Sequence, residues 1–284
     1  MPVFHLGLIG YPLSHSLSPK IHNAALKACG LQGDYSLFPI HPDDRQALKD
    51  LLTRVLSGEI RGLNVTIPHK QNVIPLLDEL TDTAKAIGAV NTIYLRNNAL
   101  VGDNTDAPGF LADLKKFLDN EKSSIVNRQL SIVLGAGGSA RAVVYALVNG
   151  AWNVTITARR IEQAKQLADS FANYDINFTD LADFRLSTFD LLVNTTPIGM
   201  TPNTDQSPLP ENISLSKHIM VYDLVYNPRE TKLVKDARAQ GLRATTGLGM
   251  LIEQAALSFE IWTGHNPSRE IMRASIEQSP VSNL

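Results

Sequence analysis

Residues 130–141 read Leu130-Ser131-Ile132-Val133-Leu134-Gly135-Ala136-Gly137-Gly138-Ser139-Ala140-Arg141. The first five predict a buried strand, residues 139–148 predict a helix, and the pattern G-x-G-x-x-A lies between them. Glycines there permit a tight turn and let the backbone approach a pyrophosphate at the helix N-terminus. An ordinary tight turn would also use glycines, but a second predicted strand at residues 153–157 favours a dinucleotide site. The predicted contacts are Gly135, Ala136, Gly137, Gly138 and Ser139.

The end of that second strand indicates which dinucleotide binds. NAD sites usually place Asp or Glu here to bind the ribose hydroxyls, whereas NADP sites use arginine against the 2′-phosphate. The chain has Thr157-Ala158-Arg159-Arg160 and no acidic residue before Glu162. Arginine offers a planar, permanently charged set of donors that suits phosphate, so we predict NADP, bound by Ala158, Arg159 and Arg160. The alternative is that both arginines are solvated residues at a helix start.

Strand-like and helix-like segments alternate along the chain, which is typical of an α/β architecture. The 284 residues exceed what one hydrophobic core usually serves, so we expect two domains. A hairpin is predicted around Asn97-Asn98, a polar segment at residues 120–129 and a proline-containing loop at residues 201–210. Strands are predicted at residues 3–10, 35–40, 62–67, 89–95, 130–134, 153–157, 191–194 and 219–223. Helices are predicted at residues 19–28, 43–56, 81–87, 108–118, 139–148, 249–262 and 268–277.

Composition excludes several classes of function. Hydrophobic residues make up 44% of the chain, charged residues 19%, and the formal net charge is -2, so we expect no nucleic-acid partner. The chain has no apolar window of about 18 residues and no basic flank typical of a secretory signal, so we expect a cytoplasmic protein without a membrane partner. Its single cysteine, Cys29, excludes an internal disulfide. His15 and His69 are isolated histidines, so we predict no metal site.

A second functional region is predicted by Gly62-Leu63-Asn64-Val65-Thr66-Ile67-Pro68-His69-Lys70. Side chains alternate faces along a strand, so Asn64 and Thr66 point to one side while Val65 and Ile67 point into a core. The proline that follows cannot continue a central ladder, which puts Lys70 at the rim of the polar face. Polar groups aimed together from a rigid strand indicate a small-molecule site. An edge strand with a solvated face and a surface lysine is the alternative.

Further motifs follow one another along nearly the whole chain. They are Ser14-His15-Ser16-Leu17-Ser18-Pro19, the Asn64 to Lys70 run, Gly88-Ala89-Val90-Asn91-Thr92, Gly102-Asp103-Asn104-Thr105-Asp106, the Gly135 loop, Asn194-Thr195-Thr196-Pro197-Ile198-Gly199-Met200, Tyr222-Asp223-Leu224-Val225-Tyr226, and Gly247-Leu248-Gly249-Met250 with Gln254-Ala255-Ala256. Each is weak alone, but in this order and spacing they are specific. The chain resembles the shikimate/quinate dehydrogenase family, and within it the shikimate dehydrogenases.

The resemblance implies an NADPH-dependent, reversible reduction of 3-dehydroshikimate to shikimate, a step of chorismate and aromatic amino acid biosynthesis. It implies that Lys70 and Asp106 are the catalytic pair, since a nearby ammonium can stabilise and protonate the oxygen on which charge develops. The implied contacts to the substrate carboxylate are Ser16, Ser18 and Tyr226. The implied contacts to the ring hydroxyls and the reacting oxygen are Asn64, Thr66, Asn91, Asp106 and Gln254. Further implied cofactor contacts are Thr195, Leu224, Gly247 and Met250.

Several of these residues have structural alternatives. Ser18 precedes Pro19 and could be a helix N-cap, and Asp106 could equally cap a helix. Tyr226 and Gln254 could be ordinary packing and helix-surface residues. The family commonly has Asn-Arg-Thr where this chain has Ala158-Arg159-Arg160, so only the central arginine is retained. Members that also accept NAD often carry an acidic residue at this strand end, and Ile161 argues against that variant.

The resemblance also implies an architecture. A substrate-binding domain of residues 1–105 would be completed by helices of residues 241–284, with a Rossmann-type NADP domain of residues 106–240 inserted between them. The active site would lie in the interdomain cleft, whose opening and closing is a hypothesis. We expect a monomer or a homodimer. A quinate or broad-specificity dehydrogenase and a non-catalytic dinucleotide-binding sensor are the alternatives, and the presence of both Lys70 and Asp106 argues against the sensor.

Overall fold

The computed structural model describes residues 2–119, 129–180, 188–210 and 215–277. Contacts divide the chain into two compact units, Met1–Gly109 with Ile252–Leu284, and Phe110–Leu251. The sequence suggests boundaries near residues 105 and 240, and in the structure both changes of unit fall within helices. Of the predicted polar segment at residues 120–129, all but Gln129 lie outside the described residues.

The secondary structure follows the alternating pattern that the sequence predicts. The strands are β1 (Phe4–Gly10), β2 (Gly33–Pro39), β3 (Gly62–Val65), β4 (Glu79–Leu80), β5 (Thr92–Arg96), β6 (Ala99–Asp103), β7 (Leu130–Leu134), β8 (Asn153–Thr157), β9 (Ile176–Thr179), β10 (Leu191–Asn194), β11 (Met220–Asp223) and β12 (Ala244–Thr246). The α-helices are α1 (Ser18–Ala28), α2 (Arg45–Leu56), α3 (Asp82–Ile87), α4 (Asp106–Asp119), α5 (Gly138–Asn149), α6 (Ile161–Asp169), α7 (Lys232–Ala239), α8 (Leu248–Thr263) and α9 (Arg269–Glu277). A short 3-10 helix covers Ile74–Leu76.

Among the described residues of the first unit, six strands form a mixed sheet in the order β2-β1-β3-β5-β6-β4. β1 pairs with β2 and β3 in parallel, and β5 is antiparallel to both β3 and β6. β1 and β3 are interior strands of this sheet, and apart from His5 their side chains are buried on both faces. Helix α2 covers one face with leucines and a valine at helical spacing, and these pack against Leu63 and Val65. Because β5 is antiparallel to both β3 and β6, β6 runs in the same direction as β1 and β3. The carboxyl ends of these three strands therefore lie at one edge of the sheet.

The environment of β3 corrects two expectations. β3 pairs with β1 on one side and β5 on the other, so the edge-strand alternative is wrong. The strand also ends at Val65, and the His69 amide donates to the Thr66 carbonyl oxygen at 2.9 Å across a turn. That turn directs Ile67 outward, where it is 58% exposed, so the prediction that Ile67 points into a core is wrong.

Among the described residues of the second unit, six strands form a parallel sheet in the order β12-β11-β10-β7-β8-β9. The strand order reverses at β7, which lies between β8 and β10. A cluster of Ile132, Leu134, Leu192, Val221 and Val234 fills the core on the side of α7. In such open sheets, ligands bind outside the carboxyl ends of the strands where the order reverses. The sheet thus has the topology of a dinucleotide-binding fold.

The sequence patterns agree with the structure for the strongly apolar elements. The predicted bounds of β7, β8 and β10 are confirmed. The predicted hairpin joins β5 to β6, and Asn97 and Asn98 have φ angles of 52° and 62°, as a two-residue turn of this kind requires. The patterns do not predict β4, α6, β9, α7 and β12. Each of these is short, and α6 buries mainly alanines while β9 is a half-exposed edge strand, so the hydrophobic signal is weak.

None of the helices in the described ranges combines the length and the apolar character that a membrane span needs.

Candidate active site

The predicted substrate and catalytic residues of the first unit lie at one edge of its sheet. Ser16 and Ser18 follow the carboxyl end of β1, and Thr66 and Lys70 follow that of β3. Asn91 directly precedes β5, which is antiparallel, and Asp106 follows β6. The segments that follow β1, β3 and β6 and the segment that precedes β5 therefore all lie at the same edge of the sheet. Gln254 is contributed by α8.

Lys70 and Asp106 form a close ion pair at this edge. Lys70 Nζ donates to Asp106 Oδ2 at 2.6 Å, and the two side chains are only 13% and 7% exposed. Asp106 Oδ1 accepts a second hydrogen bond from Asn91 Nδ2 at 2.9 Å. Each carboxylate oxygen thus has its own donor, which fixes the orientation of the carboxylate. A buried charge pair of this kind is maintained because either charge alone would be costly to bury.

The start of helix α4 is capped by Asn104. Asn104 Oδ1 accepts hydrogen bonds from the amides of Asp106 at 3.1 Å and Ala107 at 3.2 Å. Asparagine is a favoured residue for this role because its side-chain oxygen can satisfy amides in the first turn. The alternative that Asp106 itself is the helix cap is therefore wrong, and its carboxylate serves the ion pair instead.

The side-chain amide of Asn91 lies next to Asp106 and Gln254. Asn91 Oδ1 accepts from the Thr105 amide at 2.7 Å, and a backbone amide can only donate, which identifies this end of the side chain as the oxygen. Asn91 Nδ2 contacts Thr105 Oγ1 at 2.9 Å and Gln254 Oε1 at 3.4 Å, besides Asp106. Gln254 is buried, so the alternative that it is a helix-surface residue is wrong.

The two serines differ in environment. Ser18 is the first residue of α1 and is buried, while the N-cap position belongs to Leu17. The alternative that Ser18 is the N-cap is therefore wrong. Ser16 is half-buried, and its Oγ accepts from the Ser18 amide at 3.3 Å. The β1–α1 connection thus presents Ser16 beside the first turn of a helix, where an anion is favoured.

Asn64 and Thr66 are not equivalent, although they are two positions apart and were predicted to point to the same side of a strand. Thr66 lies just beyond the end of β3 and is half-buried. Asn64 is 5% exposed, and its Oδ1 accepts from the Tyr35 hydroxyl at 2.8 Å. Asn64 Nδ2 donates to the Asn91 carbonyl oxygen at 3.1 Å and to Ser258 Oγ at 3.0 Å. The amide of Asn64 is thus engaged mainly by other protein groups.

In the second unit, predicted cofactor residues stand directly after five parallel strands. Strands β7, β8, β10, β11 and β12 end at residues 134, 157, 194, 223 and 246. The next residue in each case is Gly135, Ala158, Thr195, Leu224 or Gly247. Because the strands are parallel, these five residues share one edge of the sheet. Met250 lies in the first turn of α8, close in sequence to the last of them.

The loop after β7 requires its glycines for different reasons. Gly135 has a φ angle of 112°, and a Cβ there would stand 2.6 Å from Thr195 Oγ1, which donates to the Leu134 carbonyl oxygen at 2.7 Å. Gly137 has an ordinary φ angle of -85° and is the N-cap of α5. A Cβ on Gly137 would meet no heavy atom of the described residues within 4 Å. That open space above a helix N-terminus matches the close approach of a pyrophosphate.

Arg159 and Arg160 are exposed and connect β8 to α6. Arg160 is the N-cap residue of α6 and has an extended conformation. The geometry suits phosphate binding and also suits the alternative of two solvated residues at a helix start. Ala158 is half-buried at the strand end.

A buried carboxyl group that sequence reasoning left without a role lies next to this edge. Asp223 accepts hydrogen bonds from Asn194 Nδ2 at 2.8 Å, Thr231 Oγ1 at 2.6 Å and the Val225 amide at 3.1 Å. Burial raises the pKa of Asp223 to about 6, against the opposing effect of these donors. Asp223 and Asn194 stand in two of the quoted motifs, and their adjacency across β10 and β11 is what the sequence alone did not reveal.

Two remaining predictions concern single side chains. Tyr226 is half-buried in the segment after β11, and desolvation raises the pKa of its hydroxyl. His69 is buried, and its Nε2 lies 2.7 Å from the Ile40 carbonyl oxygen, which ties the turn after β3 to the end of β2. His15 is exposed. These environments give His69 a structural role.

Three family models match successive parts of the chain. Residues 8–93 match the shikimate dehydrogenase substrate binding domain, and residues 118–234 match the shikimate / quinate 5-dehydrogenase model. Residues 247–277 match the shikimate 5'-dehydrogenase C-terminal domain. Together these matches include both the Lys70 motif and the Gly135 loop.

Individual relatives agree with these matches over nearly the full length. The chain is 41% identical over 274 residues to a shikimate dehydrogenase (NADP(+)) of Bacillus subtilis, covering 95% of each chain. A crystal structure of a shikimate dehydrogenase in complex with NADP+ is 39% identical and superposes with a TM-score of 0.89, covering 97% of this chain and 95% of the other. The Thermus thermophilus enzyme in complex with NADP(H) and shikimate is 36% identical, with a TM-score of 0.84 and coverages of 96% and 98%.

Proposed function

The chain belongs to the shikimate dehydrogenase family, and we propose that it catalyses the reversible NADPH-dependent reduction of 3-dehydroshikimate to shikimate in aromatic amino acid biosynthesis. The single observation that carries this proposal is the buried 2.6 Å contact between Lys70 and Asp106. The contact pairs an ammonium with a fixed carboxylate at the edge of the sheet where the other candidate substrate residues also lie.

Lys70 provides the positive charge that carbonyl reduction needs. As hydride reaches the carbonyl carbon, negative charge builds on the oxygen, and an ammonium held in place stabilises that charge. The low exposure of the pair favours this, since charges interact more strongly away from water. We assign the proton transfer to Lys70 and Asp106 acting as a pair.

Asp106 holds the lysine ammonium in position. Its Oδ2 accepts from Lys70 and its Oδ1 accepts from Asn91, so the carboxylate cannot rotate without breaking two hydrogen bonds. In the reverse reaction, the same carboxylate can accept a hydrogen bond from the hydroxyl that is oxidised.

The remaining side chains at this edge fit the polar groups of the substrate. Ser16 and Ser18, at the start of α1, are proposed to bind the carboxylate, which the positive end of the helix dipole favours. Thr66, Asn91 and Gln254 are proposed to contact the ring hydroxyls and the reacting oxygen. Tyr226 is proposed as a further carboxylate contact on the family resemblance.

The residues at the carboxyl edge of the second sheet fit NADP. Bound NADPH supplies the hydride for the reduction. Gly137 and the first turn of α5 offer amides and open space for the pyrophosphate, and Arg159 and Arg160 offer exposed charge for the 2′-phosphate. The other proposed contacts are Gly135, Ala136, Gly138, Ser139, Ala158, Thr195, Leu224, Gly247 and Met250.

Small-molecule substrate and NADP binding follow from the relatives. We further propose that the protein acts in the cytoplasm as a monomer or a homodimer. Analytical ultracentrifugation at micromolar concentration tests the assembly, and a trimer or a larger species would contradict it.

Absorbance of NADPH tests the reaction directly. Purified protein is incubated with shikimate or quinate and with NADP or NAD, and NADPH or NADH formation is followed. We expect the highest kcat/KM for shikimate with NADP. Turnover of quinate as fast as shikimate would indicate the broad-specificity alternative, and no turnover with any pair would indicate the non-catalytic sensor.

A further inference from the structure

The amide of Asn64 is used inside the protein. Its oxygen accepts from Tyr35, and its two N–H groups have acceptors in the Asn91 carbonyl oxygen and Ser258 Oγ. A primary amide has only two N–H donors, so both are engaged here. Both ends of the Asn64 amide are therefore paired within the protein.

Three buried hydroxyls meet next to Asn64. Thr92 Oγ1 and Ser258 Oγ are 2.7 Å apart, Thr105 Oγ1 and Ser258 Oγ are 3.0 Å apart, and the two threonine hydroxyls are 3.3 Å apart. Thr92 belongs to β5, Thr105 to the connection after β6, and Ser258 to α8. The hydroxyls therefore join the β5–β6 hairpin region to α8, which is more than 150 residues further along the chain.

This cluster also contacts the amide of Asn91. Thr92 Oγ1 donates to Asn91 Oδ1 at 3.0 Å, and Thr105 Oγ1 accepts from Asn91 Nδ2 at 2.9 Å. With the oxygen end of Asn91 held in this way, its nitrogen end points towards Asp106 Oδ1. Buried networks of this kind, when every member is satisfied, specify one arrangement.

We propose that Tyr35, Asn64, Thr92, Thr105 and Ser258 form a buried brace that orients Asn91 towards Asp106. Asn64 then belongs to the brace and not to the substrate contacts. The proposal rests on the function proposed above, because Asp106 matters through its pairing with Lys70. The members of the brace are positioning residues, since each acts on the reaction through Asn91 and Asp106.

A pair of substitutions at Thr105 separates hydrogen bonding from packing. Thr105→Val keeps the shape and removes the hydroxyl, whereas Thr105→Ser keeps the hydroxyl and removes a methyl group. We expect kcat to fall roughly 10-fold in the valine variant, as for the loss of one buried hydrogen bond, and to be largely retained in the serine variant. The reverse order of the two variants would assign Thr105 to packing and overturn the proposal.

Tyr35→Phe tests the role of Asn64 with a nearly isosteric change. We expect kcat to fall by several-fold while KM for shikimate stays within about 2-fold, since the lost hydrogen bond orients a side chain and does not touch substrate. Tyr94→Phe in β5 of the same sheet is the control. A higher KM with unchanged kcat would make Asn64 a substrate contact and overturn its place in the brace.

Side-chain amide signals test the brace independently of turnover. In ¹⁵N-labelled protein without ligands, the Asn91 side-chain amide is expected to exchange slowly with water in the native chain and in Thr105→Ser, and at least about 10-fold faster in Thr105→Val. Equal exchange in all three would overturn the brace. This readout does not need shikimate turnover, so failure of the proposed function and failure of the brace are distinguishable.

Discussion

Gly109 of α4 lies directly against Gln254 of α8. A Cβ at Gly109 would stand 2.8 Å from the Gln254 backbone nitrogen and 2.9 Å from its Cβ, closer than such atoms pack. Glycine is therefore required here by close approach and not by an unusual backbone angle. The contact sets how near α8 brings Gln254 to Asn91, whose Nδ2 lies 3.4 Å from Gln254 Oε1.

Gly109→Ala is expected to push Gln254 away from the substrate site. The added methyl group forces a backbone shift that costs about 1–3 kcal/mol, so the thermal midpoint should fall. KM for shikimate should rise several-fold with a smaller effect on kcat, because the Lys70–Asp106 contact is not involved. Steady-state kinetics and thermal unfolding check this, with Leu111→Ala at an exposed position of the same helix as the control. Unchanged KM and midpoint would show that α8 tolerates the methyl group.

Lys70→Ala is expected to lower kcat by about 10²–10⁴-fold, because the ammonium acts mainly on charge that develops in the transition state. KM for shikimate should change much less. The control is Lys85→Ala, which removes an exposed lysine that lies 4.0 Å from Asp82. Stopped-flow or steady-state NADPH absorbance measures both constants. A kcat equal to that of the control would remove Lys70 from the mechanism.

Arg159→Ala is expected to weaken NADPH binding by roughly 10-fold or more, the usual effect of losing a hydrogen bond to a charged group, with little effect on NADH. Arg45→Ala is a matched control, since Arg45 is also an exposed arginine at a helix start, but in the first unit. Fluorescence titration with each cofactor gives the dissociation constants. Equal losses for NADPH and NADH would contradict the phosphate role and favour a solvated residue.

The pKa of Asp223 predicts a pH-dependent loss of stability. Burial raises this pKa from 3.8 to about 6, so between these pH values the unfolded chain releases its proton while the folded chain keeps it. The folded state then binds more protons, and its stability falls as pH rises, by about 3 kcal/mol in total. Above pH 6 both states are ionised and the loss is complete.

Asp223→Asn should remove this loss of stability, because an amide does not ionise. The amide oxygen can still accept from Asn194, and the Thr231 hydroxyl can accept from the amide nitrogen instead of donating. In urea unfolding at pH 4 to 7, the stability of the variant relative to the native chain should rise with pH. Asp205→Asn, at an exposed position, is the control. A difference that stays constant with pH would show that Asp223 does not ionise within this range.

Local sequence predicts the elements and the residues that follow them. The apolar runs of β7, β8 and β10 are unambiguous, and in a parallel sheet the residue after each strand necessarily lies at one edge. Gly135 and Ala158 were predicted as cofactor contacts from their positions after β7 and β8, whereas Thr195 was implied only by the family resemblance. The proline that follows β3 also predicted that Lys70 lies just beyond the strand, at the rim of its polar face.

Contacts between distant residues were not predictable in the same way. Ser258 lies 166 residues from Thr92, and no periodicity of α8 indicates that its hydroxyl meets two threonines. Alternation along β3 suggested that Asn64 and Thr66 are equivalent, but the strand ends between them and Tyr35 engages Asn64 from β2. Asn104 was also missed as the cap of α4, because Asp106 is an equally good capping residue by type.

The two glycines of the loop after β7 give a matched test of cofactor binding. Gly135→Ala should lower the thermal midpoint of the protein without cofactor, because its φ angle of 112° is strained for alanine and the methyl group would meet Thr195 Oγ1. Gly137→Ala should cost no more than the about 1 kcal/mol expected for losing a glycine N-cap, since the space around it is open in the described residues.

The affinity for NADPH should depend mainly on Gly137, whereas the thermal midpoint depends mainly on Gly135. The open space at Gly137 is where the pyrophosphate is proposed to approach, so its alanine variant should bind NADPH at least about 10-fold more weakly, equivalent to about 1.4 kcal/mol. Isothermal titration calorimetry and thermal unfolding with and without NADPH check both quantities. If Gly137→Ala binds NADPH as tightly as the native chain, the pyrophosphate does not approach at the N-terminus of α5, and the loop is an ordinary tight turn.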